Sequence, residues 1–489
     1  MKTLDDILKH VAPFRIIGPA DRPVQGIYSD SRAVKPQGLF VAIKGIHADG
    51  HRFIQSAVEK GVTAIVCEEI PEVISAELTY IQVKNSAIAL GRIAANFYDH
   101  PSRQVKIIGI TGTNGKTTTA TLLFKLFRNL GYPCGLLSTI HNQINDEVFE
   151  ATHTTPDVLH LNELLKTMTD RGCGYCFMEV SSHAIAQNRI AGIEYAGGLF
   201  TNITHEHLDY HKTFDDYLKT KRKFFDELPS GAFALANIDD KNGRYMLQNT
   251  KASRHTYGLK TAADFKGKII ESHLEGQLLW VDGQELWFRL AGQFNAYNIL
   301  AVYGAAVLLG EDKQEVLKGL SVMTPVEGRF DFFTNRDNIT AIVDYAHTPD
   351  ALLNVLSTIA GIHRGKGKII TVVGAGGDRD KSKRPLMGRI ACDHSDRVIF
   401  TSDNPRTEDP GQIIKDMTGD LEAKRLQKAI ILPDRREAIR TACLMAGPGD
   451  IILVAGKGHE KYQEINGVKH PFDDKKIVMS ILGPAIENR

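Results

Sequence analysis

The chain has 489 residues, with 59 lysines and arginines against 58 aspartates and glutamates and 43% hydrophobic residues. At roughly 150 residues per domain this is room for about three domains, each large enough to bury its own core. The nearly cancelling charge excludes a strongly basic nucleic-acid or membrane-surface binder.

No run reaches the ~18 apolar residues of a membrane span. The stretch Met1 to Gly18 is acidic where a signal peptide is basic, so a cytoplasmic protein without membrane insertion is expected. Cys67, Cys134, Cys173, Cys176, Cys392 and Cys443 are scattered and read as reduced core residues rather than a disulfide framework. Cys173 and Cys176 form a CxxC, but no second pair accompanies it.

In chain order, residues 1–102 carry short strands at Leu39 to Ile43, Ala64 to Cys67 and Tyr80 to Val83 among helices, and end in the turn Asp99-His100-Pro101-Ser102. This predicts a small N-terminal α/β domain. Residues 103–325 alternate strands (Val105 to Ile110, Tyr175 to Val180, Gly198 to Ile203, Phe233 to Asn237) with helices, as in a mostly parallel sheet covered on both faces. A β-rich patch, Lys266 to Leu290, interrupts it with alternating pattern and a Val281-Asp282-Gly283 turn. Residues 326–489 repeat strand and helix again, with strands at Ile339 to Tyr345, Lys368 to Gly374, Arg397 to Ser402, Ala429 to Leu432 and Asp450 to Ala455. That pattern predicts a C-terminal doubly wound, Rossmann-like domain with ligands at the carboxyl ends of its strands.

The segment Thr111-Gly112-Thr113-Asn114-Gly115-Lys116-Thr117-Thr118 lies between an apolar run and an amphipathic one, a strand, glycine loop and helix. Such a loop turns its N–H groups toward phosphate oxygens at a helix N-terminus. Lys116 then reaches the β/γ-phosphates and Thr117 can hold Mg²⁺. Ile110 stands where the usual P-loop has its first glycine, and Gly109 is one residue too early; the loop is a shortened variant of a P-loop ATPase. Downstream, Glu179 near the end of its strand can ligate Mg²⁺ shared with the phosphates. The stretch Thr201 to His211 holds His205, His207 and His211 beside Glu206 and Asp209. These residues suggest a metal site, with zinc or an ordinary polar loop as the alternatives, because Mg²⁺ prefers oxygen ligands.

Thr111 to Thr118, Glu179, His207-Leu208-Asp209, Gly292 to Asn298, Glu327-Gly328-Arg329 and Asp344 to Pro349 occur in an order that resembles the Mur ligases over nearly the whole chain. Ser29-Asp30-Ser31-Arg32, Thr154-Thr155-Pro156, Gly377-Asp378-Arg379-Asp380 and Gly456 to Glu460 are most similar to the branch that forms the tripeptide. Glu206 stands where the family usually has Asp.

The resemblance implies an ATP- and Mg²⁺-dependent amide ligase of peptidoglycan synthesis, a monomer that works through an acyl phosphate on UDP-N-acetylmuramoyl-L-Ala-D-Glu. It implies ATP contacts at Gly112, Thr113, Asn114, Gly115, Lys116, Thr117, Thr118, Asn295, Asn298, Arg329 and Asp344. Thr117 and Glu179 would hold one Mg²⁺ and His207 a second. Lys221 reads from sequence alone as part of a solvated helix face in Lys219 to Lys223; the resemblance makes it a carbamylated, Mg²⁺-bridging residue. The UDP-sugar dipeptide would contact Ser29, Ser31, Thr154, Thr155, Ser182, Gln187 and Arg189, although Ser31 alone reads equally as a turn or cap.

Asp403-Asn404-Pro405-Arg406 alone is a proline turn with a surface arginine. In this family the string marks meso-diaminopimelate rather than lysine as the amino acid, with Arg379, Asp403, Asn404, Pro405, Arg406, Gly456 and Glu460 around it. Arg406 offers a planar fork to the distal carboxylate, and lysine, lacking that group, is expected to leave Arg406 buried and unpaired. A folate-type polyglutamate ligase shares the phosphate loop but needs neither the Ser29 to Arg32 segment nor the Gly456 to Glu460 motif. A nucleotide-driven binding switch would bind ATP without substrate-dependent phosphate release.

Overall fold

The protein is seen in a computed structural model that describes residues 2–45, 48–151, 153–206, 208–363 and 367–483. Three α/β domains follow one another, each built on its own sheet. The first sheet has the order Arg15–Ile17, Thr79–Gln82, Ala64–Cys67, Gly38–Val41, Gly26–Tyr28, antiparallel only at its first pair. Gly38–Val41 and Ala64–Cys67 are buried at every position, as strands covered on both faces must be. Asp99 and His100 then take left-handed φ values of 63° and 52° and lead through the 3₁₀ turn Pro101–Arg103 into the second sheet.

The central sheet has eleven strands in one layer. Its parallel heart is Cys134–Leu137, Tyr175–Glu179, Lys106–Thr111, Gly197–Phe200, Phe233–Asn237 and Ser253–Gly258. Lys106–Thr111 is flanked by Tyr175–Glu179 on one side and Gly197–Phe200 on the other, so a crevice opens at its carboxyl end, where open α/β sheets bind ligands. The β-rich patch extends this sheet instead of interrupting it. Phe265–Ser272 joins Ser253–Gly258 in parallel, and Gln277–Val281 and Gln284–Phe288 add two antiparallel strands. Asp282 and Gly283 both have positive φ, 49° and 82°, which is what a two-residue hairpin loop matched to strand twist requires. The opposite edge is a second hairpin, His141–Ile144 with Glu147–Glu150.

Helix Lys116–Asn129 packs on this sheet and against helix Gln293–Leu308. The latter is buried at every position from Asn298 to Ala306 because it lies between that helix and the strands.

The third sheet runs Asp331–Thr334, Thr340–Asp344, Ile451–Ala455, Ile369–Val373, Arg397–Phe400, Ala429–Ile431, parallel except at the first pair. Helices Arg435–Met445 and Asp474–Leu482 are tied together by a fully buried pair. Arg435 Nε donates to Asp474 Oδ1 at 2.9 Å and Nη2 to Oδ2 at 2.7 Å, while Nη2 also reaches Ala455 O at 3.0 Å. Asp474→Ala strands this guanidinium in the core and is expected to cost about 3–5 kcal/mol of stability, whereas Arg435→Met with Asp474→Leu costs far less. Denaturant unfolding of the two variants checks this.

Candidate active site

The turn after Lys106–Thr111 has no room for a side chain at Gly112. Gly112 has φ +150°, and a Cβ there would lie 1.9 Å from Thr201 Oγ1. The loop is pinned from outside: Thr113 N donates to Asn202 O at 2.8 Å, Asn114 N to Asn202 Oδ1 at 2.9 Å, and Thr201 Oγ1 to Asn114 O at 2.7 Å. Lys116 opens the helix and turns its ammonium back onto Gly112 O and Thr113 O at 2.9 and 2.8 Å. Burial of that end lowers its pKa, opposed by Glu179 and Glu206.

Asn295 and Asn298, in the first two turns of helix Gln293–Leu308, back the helix that follows the loop. Asn298 Nδ2 donates to Asn295 Oδ1 at 3.1 Å, and Asn298 Oδ1 accepts from Thr119 Oγ1 at 3.4 Å. From the third domain, Arg329 Nη2 donates to Thr117 Oγ1 at 3.1 Å with its guanidinium over the Tyr345 ring. Asp344 accepts from Phe330 N at 2.6 Å, its pKa raised by burial. Asp350 accepts from Asn114 Nδ2 at 3.1 Å.

Lys221 is not on a solvated face. On helix Phe214–Asp226 it shares the inner side with Tyr217, Phe224 and Phe225, at helical spacing, and is 1% exposed. Its Nζ donates to Gly112 O at 2.9 Å, the carbonyl that Lys116 also uses. Burial, then the neighbouring Lys116, pushes its pKa well below the ordinary lysine value.

Glu179 is fully buried; Oε1 accepts from Thr139 N at 2.7 Å, and Oε2 has no hydrogen-bond partner among the described residues. An orphaned carboxylate oxygen facing the same cleft as the Thr117 hydroxyl fits a hard cation. His205 stacks on Phe214, and His211 packs against Tyr217 and Tyr210. His207 lies outside the described residues, and among those described no cluster of three or more His, Cys, Asp or Glu is placed to hold a metal.

One cleft of about 1650 Å³ joins the phosphate loop, Thr154, Glu179, Ser182, Gln187, Arg189 and Lys221 to Arg329, Asp344, Arg379, Asp403, Asn404, Arg406, Gly456 and Glu460. Ser182 Oγ and Arg189 Nε are buried there without protein partners, while Arg189 Nη1 donates to Thr155 O at 2.6 Å. Thr155 sits behind the wall and fixes the Glu179 strand end, donating to Glu179 O at 2.8 Å. Gln187 reaches the Tyr210 hydroxyl at 3.4 Å. Pro405 and Asn295 also lie behind the lining, and Ser29 and Ser31 do not line the cleft. Ser29 is exposed, and Ser31 is buried with its carbonyl accepting from Lys60.

At the amino-acid end, Asn404 Nδ2 donates to Glu460 Oε2 at 2.8 Å, and the fully buried Lys457 donates to Asn404 Oδ1 and Glu460 Oε2, both at 2.9 Å. Burial tends to raise the pKa of Asp403, but Lys457 and Arg435 bring it below the ordinary aspartate value. Its Oδ2 has no hydrogen-bond partner.

Arg406 is not left unpaired. Its Nη1 donates to Gly377 O at 2.6 Å and its Nε meets Glu464 Oε2 at 3.2 Å, with 21% of the side chain exposed. The expectation that lysine would strand a buried, partnerless guanidinium is corrected accordingly. Asn202, Asp350, Lys457, Glu464 and His459 escaped the sequence reading. Asn202, Lys457 and His459 lay inside motif strings and Asp350 directly follows one, whereas nothing local marks Glu464. Burial and then Arg329 hold His459 down to about 3, so its imidazole is neutral at physiological pH.

Family models agree with this geometry. "Mur ligase family, catalytic domain" matches residues 23–98, "Mur ligase middle domain" 110–306 and "Mur ligase, glutamate ligase domain" 328–458. The UDP-N-acetylmuramoyl-L-alanyl-D-glutamate–2,6-diaminopimelate ligase of Bacteroides thetaiotaomicron is 56% identical over 98% of this chain and 99% of its own. The enzyme of the same name from Cytophaga hutchinsonii is 57% identical with the same coverage. A solved structure of a ligase of that name shares 32% identity at a TM-score of 0.69, covering 97% of this chain and 98% of its own. Sequence likeness from end to end, and a fold that brings the same motifs to one cleft, place this chain in the Mur ligase family.

Proposed function

We propose that the protein joins meso-diaminopimelate to UDP-N-acetylmuramoyl-L-Ala-D-Glu at the expense of ATP, as a cytoplasmic monomer in peptidoglycan precursor synthesis. The observation that carries this reading is the single cleft running from the phosphate loop, past Glu179, Ser182 and Arg189, to the Asp403-to-Arg406 turn. Amide formation in water is uphill, so the glutamate carboxylate is first activated: its oxygen attacks the γ-phosphorus, ADP leaves, and an acyl phosphate forms. The amine of the amino acid then attacks the acyl carbon and phosphate departs.

Lys116 and the loop N–H groups hold the phosphates, and Arg329 and Asp344 close on the nucleotide from the third domain. Asn295 and Asn298 back the helix that follows the loop. Arg189, Ser182, Thr154 and Gln187 orient the dipeptide, and Ser29 and Ser31 bind the uridine end. Glu179, Thr117, His207 and carbamylated Lys221 would hold Mg²⁺, which neutralises charge on the transferring phosphoryl group. Arg379 takes the proximal carboxylate of the amino acid. Asp403, Asn404, Gly456 and Glu460 surround its charged groups, with Pro405 shaping the turn, and Arg406 takes the distal carboxylate.

Because Glu464 already pairs with Arg406, discrimination against lysine rests on the contact lysine cannot make. Losing a charged partner costs roughly 2–5 kcal/mol, so Arg406→Ala is expected to lower kcat/KM for meso-diaminopimelate by on the order of a hundredfold. Ligation assays with both amino acids test the reading. Wild-type kcat/KM values that are comparable for lysine and meso-diaminopimelate would refute it.

A further inference from the structure

Arg406 stands in a left-handed backbone conformation, φ 52°, which a residue carrying a Cβ adopts at a steric cost. What holds it there is the small hairpin Tyr462–Ile465 with Val468–Pro471. Arg406 N donates to Glu464 O at 3.1 Å and Asn466 N to Arg406 O at 2.8 Å. Gln463 Nε2 donates to Asp403 O at 2.7 Å, and Glu464 N to Asn404 Oδ1 at 2.9 Å. One strand of the hairpin therefore grips three residues of the Asp403-to-Arg406 turn.

The Glu464 carboxylate completes the grip. It meets Arg406 at Nε, 3.2 Å away, while Nη1 is fixed to Gly377 O. A guanidinium has five N–H donors in a rigid fork; the ion pair at Nε and the hydrogen bond from Nη1 together restrain its plane and leave donors on the outer edge. That edge borders the cleft: Arg406 lines it, as does Gly376, whose absent Cβ would lie 3.1 Å from Nη1. Glu464 itself does not line it.

We propose that Glu464 is a positioning residue for amino-acid selection, holding the Arg406 fork edge-on to the cleft so that it can take a second carboxylate. This rests on the reading that Arg406 receives the distal carboxylate. A carboxylate that orients the fork acts equally in the ground and transition states, because the distal end of the substrate is remote from the reacting amine. Its loss raises KM and spares kcat.

The experiment is a double-mutant cycle with wild type, Arg406→Ala, Glu464→Ala and the double variant, with Glu464→Gln as the conservative replacement and thermal melting as the check on folding. Glu464→Ala is expected to raise KM for meso-diaminopimelate about tenfold, with kcat within about twofold and KM for ATP unchanged. Glu464→Gln keeps an acceptor at the same reach and falls between wild type and Glu464→Ala. In the Arg406→Ala background the second substitution adds nothing, because the two residues act as one unit. Additive losses, or an unchanged or lowered KM in both Glu464 variants beside a crippled Arg406→Ala, overturn this inference alone. An Arg406→Ala enzyme with wild-type KM overturns the reading beneath it as well.

Discussion

Lys116→Ala is expected to fold normally and to lose ligation by a hundredfold to a thousandfold or more, the scale on which a charge-stabilising donor contributes to a transition state. The fold survives because the Lys116 ammonium bonds only to two carbonyls of its own loop. Asn202 and Thr201 hold that loop independently. The loss of two such bonds costs roughly 1–3 kcal/mol, a modest part of the stability of a chain this size. Catalysis is expected to fail, because on the proposed assignment the lost cation is the one that faces the transferring phosphoryl group. Circular dichroism and steady-state ligation on the same preparation separate the two effects, and turnover above about a tenth of wild type contradicts the assignment.

Lys221→Ala is expected to be nearly inactive and to recover part of its activity with a short-chain carboxylic acid such as acetate. The buried amine, pushed well below the ordinary lysine pKa by desolvation and by Lys116, is neutral over a wider pH range than a surface lysine. A neutral amine can add to CO₂: an N–C bond forms, one proton leaves the nitrogen, and the uncharged amine would become a carbamate anion. That anion would pair with Lys116 and add oxygen donors near Glu179, whose Oε2 has no hydrogen-bond partner among the described residues. An added carboxylate in the space left by alanine restores the charge but not the tether, which is why rescue is partial. Full activity of Lys221→Ala without added acid, or an unmodified Lys221 remote from the metal in a nucleotide-bound crystal structure, would sink the carbamate.

The fold class was legible because the buried parallel strands, such as Ile369–Val373 and Ile451–Ala455, are apolar at nearly every position and stand between clear turns. The edge hairpin of the central sheet, residues 141–150, was not. His141–Ile144 and Glu147–Glu150 mix polar with apolar residues and lack the continuous apolar run of the buried strands, and only pairing with a neighbour makes them strands. At the site, the phosphate loop could be read from local spacing alone, since glycine, lysine and threonine must follow one another there. Lys221 could not: its burial depends on Tyr217 and Phe225 facing the sheet, while the adjacent lysines and arginine give the segment a solvated look. Glu464 was invisible for a different reason. Its partner Arg406 is 58 residues away in sequence by subtraction of their numbers, and only the fold lays the hairpin beside the turn.

Phosphate release with each substrate withheld in turn tests the central claim most directly. The account predicts that sustained release requires ATP, UDP-N-acetylmuramoyl-L-Ala-D-Glu and meso-diaminopimelate together, with amide formed in step with phosphate, and falls to background when any one is omitted. Sustained release at the full rate without the amino acid or without the UDP-linked dipeptide, or ATP binding with no release when all three are present, would contradict it.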